Sequence, residues 1–216
     1  MAKSGNKDIE LDLPPEKELS HPLAPWREGS YEHFDGKDFP DLTEEPLPVQ
    51  KLKAEFSRDV LQFIGYRGDA CVLVKPERIV DILQFLRDEE ALRMDLLRDL
   101  FGVDNLRTED RKAQWSNLGV ADARFEVIYH LYSLRYRYDL RIRAALPAEK
   151  PTIDTSIGVF KCANWFEREA WDMFGIQFLG HPNLRRILNH EAFEGHPLRK
   201  DYPVNRRHNF TKPVDL

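Results

Sequence analysis

One stretch, Asn164 to Pro203, interleaves acids, arginines, histidines and aromatics around two Gly-His-Pro turns more closely than an ordinary core or solvated face requires. Glu167, Glu169 and Asp172 offer carboxylates, His181, His190 and His196 offer imidazoles, and Arg168, Arg185, Arg186, Arg199 and Lys200 offer cations. A carboxylate could serve as general acid or base, although hydrogen bonding to neighbouring loops is the simpler use of Glu167 and Glu169. The three histidines, helped by Glu191 or Glu194, could ligate a metal, which would suit a stand-alone His-dependent metal hydrolase. Their spacing lacks the helical His-x-x-x-His or His-Glu-x-x-His register that makes such a site specific. Arginine forks pair with carboxylates or backbone carbonyls in partly buried settings, and Phe178, Phe193 and Tyr202 add apolar anchors. Docking on another protein, or stapling within the chain, therefore fits the residue types best. Phosphate binding would need a glycine-rich strand-to-helix loop, which the stretch lacks.

The elements that position these groups can be read locally. Asn164 suits an N-cap, Glu167 lies three residues on as a capping-box partner, and Gly175 can take the left-handed conformation that closes a helix. The pattern predicts a helix over 165–174, with Phe166, Ala170, Met173 and Phe174 as its apolar stripe and Arg168 and Asp172 as an i,i+4 pair. Gly180-His181-Pro182, followed by Leu184, Arg185 and Arg186, is echoed by Gly195-His196-Pro197, followed by Leu198, Arg199 and Lys200. Glycine frees φ and proline forces the preceding histidine into extended backbone, so each unit presents an imidazole and then a basic group.

Upstream, the apolar positions Leu52, Phe56, Val60, Leu61 and Ile64 predict a helix over 51–64 stopped by Gly65. Residues 69–75 form a β-rich run, and Pro76 opens an amphipathic helix with Ile79, Ile82, Leu83 and Leu86 on one face. Residues 91–104 fit either a helix or a strand. Phe125, Val127, Tyr129 and Leu131 alternate, as do Leu140, Ile142 and Ala144, which predicts an antiparallel hairpin across 124–134 and 140–146. The fold class that follows is α+β: a small mixed or antiparallel sheet with flanking helices, an extended N-terminal arm and an irregular C-terminal docking segment. Half of the 14 prolines stand in the first 48 residues, among acids and the aromatics Trp26, Tyr31, Phe34 and Phe39. Residues 1–50 are therefore expected to be an extended arm, 51–176 the body and 177–216 a segment that runs out across partner subunits.

Composition excludes several classes. A formal net charge of -5 over 216 residues offers no basic field for nucleic acid. No apolar run approaches the roughly 20 residues of a membrane span, and the first residues lack the apolar stretch of a secretory signal. Cys71 and Cys162 are too far apart, and too few, to hold an iron-sulfur cluster or a cysteine-rich zinc site. Both are expected to be buried small apolar residues in a reducing compartment.

Glu167-Arg168-Glu169, Asp172-Met173-Phe174 with Gly175, then His181-Pro182, Arg185-Arg186 and Ile187-Leu188 resemble the signature of the thirty-kilodalton subunit family of respiratory NADH dehydrogenases, found in the NADH-quinone oxidoreductases (complex I). Glu194-Gly195-His196-Pro197-Leu198-Arg199-Lys200-Asp201-Tyr202-Pro203 is similar to that family's C-terminal motif, and weaker similarity runs back to about residue 55. The resemblance implies a peripheral-arm subunit without catalytic, cofactor or metal residues of its own. It implies contact with the large quinone-site subunit and with the subunit that holds the terminal iron-sulfur cluster, in a complex that uses FMN, iron-sulfur clusters, NADH and quinone. The implied location is the cytoplasmic face of a bacterial inner membrane, or the matrix side in mitochondria, reached through partners. An equivalent subunit of a related hydrogenase or of a ferredoxin- or F420-linked dehydrogenase shares the motif. Asn183 stands where the family often has Asp, so no ion pair is expected from it.

Overall fold

A computed structural model describes residues 42–66, 68–106 and 123–205. The elements run α1 (Leu47–Glu55), β1 (Val60–Tyr66), β2 (Asp69–Val74), a 3-10 turn (Pro76–Arg78), α2 (Ile79–Asp88), β3 (Leu96–Asp104), β4 (Ala123–Tyr132), β5 (Asp139–Pro147), β6 (Thr152–Asp154), α3 (Ala163–Phe174) and β7 (Gln177–Leu179). Five strands form a mixed sheet in the order β1-β2-β5-β4-β3, and β6 and β7 pair as a separate parallel ribbon. The anticipated hairpin is β4 and β5, with Tyr129 opposite Ile142 and Val127 opposite Ala144. β2 joins β5 in parallel, and the chain after β2 crosses through α2 to β3 at the far edge of the sheet.

Alternation along the strands sends Val72, Val74, Phe125, Val127, Tyr129, Leu131, Leu140, Ile142 and Ala144 into one core with the buried faces of α1, α2 and α3. Ile79, Ile82, Leu83 and Leu86 of α2 are fully covered, each stabilising by about 1.5–3 kcal/mol. The opposite face of the sheet is more polar. There Arg143 donates two hydrogen bonds, of 2.9 and 2.6 Å, to the fully buried Glu126 carboxylate, and burial pushes the nearby Cys71 thiol up.

The structure departs from the sequence reading in three places here. The expected helix over 51–64 ends at Glu55, and Val60, Phe63 and Ile64 belong to β1. A turn at 57–59 breaks the helix, and Lys75 N–H closes that turn onto Asp59 O as β1 pairs with β2. Gly65 is no helix stop: it sits in β1, where a Cβ would collide with the Leu42 carbonyl oxygen. Residues 96–104, which fit helix or strand by pattern, are strand β3, because their backbone pairs antiparallel with β4 from Leu96 opposite Tyr132 to Asp104 opposite Phe125. Cys162 is exposed rather than buried, since it occupies the turn that precedes α3; Cys71 is half-buried. Residues 1–41 of the expected arm and residues 206–216 of the C-terminal segment lie outside the described residues.

Candidate functional site

The motif residues gather on α3. This helix begins at Ala163, two residues earlier than Asn164 as N-cap would require, and Cys162 precedes it without a side-chain cap. Two short turns cause the shift, with Phe160 N–H bonded to Ser156 O and Ala163 N–H to Phe160 O. Asn164 is thus inside the helix, and Glu167 does not close a capping box. Its buried carboxylate accepts from Thr155 Oγ1 at 2.5 Å and from Ser156 N and Oγ at 2.7 Å each. Burial raises its pKa, against those hydrogen bonds and the His181 ring.

Arg168 and Asp172, four residues apart, turn to the C-terminal segment instead of to each other. Arg168 donates to the carbonyls of Arg185 (3.2 Å) and Arg186 (3.1 Å) while its guanidinium lies over the Trp165 ring. Asp172, fully buried, accepts from three successive amides: Ile187 at 3.1 Å, and Leu188 and Asn189 at 2.9 Å. The Asn189 side-chain amide and Arg186 Nη1, at 3.1 and 2.6 Å, complete its shell. Burial works to raise the Asp172 pKa, but the Asn189, Arg186 and Ile187 donors outweigh it and hold the carboxyl at about 2. Arg186 is packed between the rings of Trp171 and Phe193 and donates its other nitrogen to Gly195 O at 2.9 Å.

The second Gly-His-Pro turn has a distinct task. A helix leaves its last four carbonyls without intrahelical partners. In α3, Trp171 O accepts from Gly175 N–H at 2.8 Å, Asp172 O from His196 Nδ1–H at 3.0 Å, Met173 O from Leu198 N–H at 3.1 Å, and Phe174 O from Arg199 Nε–H at 2.5 Å. The motif 195–199 is therefore a helix cap supplied from more than 20 residues downstream. Burial, with the charges of Arg199 and Arg186, holds the His196 imidazole below its usual range despite the Asp172 carbonyl, which suits a neutral ring. Gly175 has φ +75°, and a Cβ there would collide with Arg199 Nη2 and His196 Cδ2. Glycine is needed both for the turn and for the cap.

A further clasp joins this cap to the sheet. Asp104, at the end of β3, accepts from Lys200 N–H (2.8 Å), Leu106 N–H (2.9 Å) and both Arg124 Nε and Nη2 (2.9 and 2.7 Å). Arg124 also pairs with Asp201 at 2.9 Å, and the guanidiniums of Arg124 and Arg199 both lie over the Phe125 ring. Burial lowers the Arg199 pKa, with the Arg124 charge adding to it and Asp201 and Asp104 opposing. Tyr202 stacks on Phe193 and approaches within 2.8 Å of where a Gly195 Cβ would lie. Asp104 and Arg124 were missed in the sequence because nothing in their own neighbourhoods connects them to a motif nearly 100 residues away.

The histidines do not converge. His181 donates from Nε2 to Asn164 O (3.2 Å) and accepts Asn183 N–H at Nδ1 (3.0 Å), so both ring nitrogens are engaged at the start of α3. His196 binds at Asp172, eight residues and about 12 Å along the helix, and His190 packs edge-on against Phe193. The metal site weighed above as the alternative would need these rings together, and among the described residues no three His, Cys, Asp or Glu side chains could together hold a metal. Glu169, Pro182, Arg185, Glu194 and Pro203 are exposed, and Pro197 is half-buried. Of the 177–216 segment expected to run out across partner subunits, residues 177–205 are described. The segment folds back as a strap along α3, because that helix offers the carbonyls and carboxylate that its amides and arginines need.

A helix with its cap delivered by a downstream strap, on a mixed five-stranded sheet, defines a small α+β fold in which Arg168, Asp172, Arg186, His196 and Arg199 join the helix to the strap. Residues 72–208 match the model of the family described as the respiratory-chain NADH dehydrogenase 30 Kd subunit, and the chain belongs to this family. It is 42% identical over 156 residues to the corresponding NADH-quinone oxidoreductase subunit of Roseiflexus sp. (strain RS-1), covering 72% of this chain and 82% of that one. It is likewise 42% identical over 164 residues to the corresponding subunit of Geotalea uraniireducens (strain Rf4), covering 76% and 91%. The fold is shared with a chain of a membrane-bound sulfane sulfur reductase, an archaeal respiratory membrane complex, at TM-score 0.56 and 18% identity over 77% of this chain and 96% of that one. The chain is a complex I subunit, and its partners are other complex I subunits. No helix among the described residues is long and apolar enough to cross a membrane.

Proposed function

We propose that this chain is a scaffold in the peripheral arm of NADH:quinone oxidoreductase, fixing the quinone-site subunit against the subunit that holds the terminal iron-sulfur cluster. On this reading electrons pass from NADH through FMN and iron-sulfur clusters to quinone in neighbouring chains. The isolated chain turns nothing over, and the subunit sits on the cytoplasmic face of a bacterial inner membrane. The observation that carries the reading is the strap: Arg168, Asp172, His196 and Arg199 are committed to backbone groups of this same chain. Groups so occupied serve rigidity, and rigidity is what a spacer between redox centres contributes. The roughly 40% identity to subunits of NADH-quinone oxidoreductases favours NADH as donor over hydrogen, ferredoxin or F420.

The test replaces the native chain with one that ends after Leu179. Loss of the quinone-site and terminal-cluster subunits from the purified peripheral arm, with loss of NADH-driven quinone reduction, is expected. Full recovery of both with the shortened chain would refute the scaffold role, and quinone reduction by the isolated full chain given NADH would refute its non-catalytic status.

A further inference from the structure

Trp165, Arg168 and Asp172 lie at i, i+3 and i+7 of α3 and so form one stripe along the helix. The strap covers only the latter two. Its carbonyls at 185 and 186 meet Arg168 and its amides at 187–189 meet Asp172, so residues 185–189 run alongside the stripe with these polar backbone groups turned inward. Three side chains along this stripe are left outward: Trp165, under the Arg168 guanidinium that holds the Arg185 carbonyl, is 60% exposed, Leu188, held through its amide at Asp172, is 63% exposed, and Arg185 is exposed without an ion-pair or side-chain hydrogen-bond partner among the described residues.

Leu188 cannot retreat from water, because its own amide and those on either side are tied to a buried carboxylate. Trp165 is backed on one side by the buried Arg168. A backbone anchored this firmly holds apolar and cationic groups outward where a free loop would let them fold in. Tryptophan and arginine are the residue types that carry most energy at protein interfaces.

We propose that Trp165, Arg185 and Leu188 are a preformed docking surface for a sister subunit of the same complex, whose complementary patch is an apolar socket edged by a carboxylate. The proposal rests on the assembly role given above and names the face through which it acts. Membership of the complex and charge together select this occupant. The partners of this chain are other subunits of complex I, an exposed arginine whose side chain has no partner among the described residues fits a carboxylate on one of those subunits, and a chain of net charge -5 with one exposed arginine here is poorly suited to an anionic lipid surface.

The experiment places a benzophenone side chain at Leu188, and separately at Trp165, in the full chain within the membrane-bound complex. Photocrosslinks to one sister subunit, next to an Asp or Glu, are expected from both positions. Crosslinks to a second copy or to lipid, or none from an assembled complex, would overturn the proposal. Arg185→Glu should lower incorporation into the complex by about tenfold while leaving the melting temperature of the isolated chain unchanged, and Arg185→Lys should retain most incorporation. Wild-type incorporation of Arg185→Glu would overturn the proposal. The assembly role itself is read separately, from whether the quinone-site and terminal-cluster subunits copurify with the unmodified chain.

Discussion

Asp172→Ala removes a carboxylate that accepts from Arg186, three consecutive amides and the Asn189 side chain. A carboxyl moved from 3.8 to about 2 on folding contributes about 2–3 kcal/mol at neutral pH. The alanine variant also leaves the largely buried Arg186 charge uncompensated, which brings the expected cost to about 3–5 kcal/mol. Because the depressed group is acidic, its contribution is present above 3.8 and is lost as pH falls toward about 2. The loss should fall on the strap before the sheet, since the strap is held to α3 largely by these bonds. Hydrogen exchange at neutral pH should therefore show amides 187–189 exchanging about 100-fold faster or more in the variant, with the β4–β5 amides little changed. Asp172→Asn, which keeps one acceptor, should fall between. Unchanged protection at 187–189 in Asp172→Ala, or strap release at the same low pH in variant and wild type, would refute the reasoning.

Gly175→Ala should destabilise by about 1–3 kcal/mol from the left-handed backbone alone, and more because the new methyl collides with Arg199 and His196; a lowered melting temperature with raised exchange at Leu198 checks this. Glu167→Gln keeps an acceptor for Ser156 without a buried charge. The wild-type pKa is raised, so its contribution is full below 4.5 and is lost as pH rises through the folded value. The stability difference should accordingly move in favour of glutamine between pH 4 and 7, and a pH-independent difference in denaturant titrations would contradict this sign.

The hairpin of β4 and β5 was legible because Phe125, Val127, Tyr129 and Leu131 alternate over a length that only a strand uses, and Gly175 because few other residues close a helix so well. The family was legible from the motif itself. Two local misreadings share a cause. Phe56, Val60 and Ile64 stand four apart, which suits a helix, but every second position also suits a strand, and the pairing with β2 decides. Asn164 is a good cap by type, yet the start of α3 is set by turns at 156–163 whose bonds are all backbone. The strap could be suspected from its arginines, but its direction could not. Whether such forks reach outward or back depends on free carbonyls at the end of α3 and on Asp104, and neither leaves a trace beside the motif.

The remote cap of α3 also has a schedule. At the usual synthesis rates of about 5–20 residues per second, the 25 residues between Phe174 and Arg199 take about 1–5 s to be made. Throughout that interval the helix has been translated but three of its last carbonyls await partners. The final turn of α3 becomes permanent only once the second Gly-His-Pro motif can reach it. The end of this helix is therefore fixed by a segment made after it, and not by its own sequence.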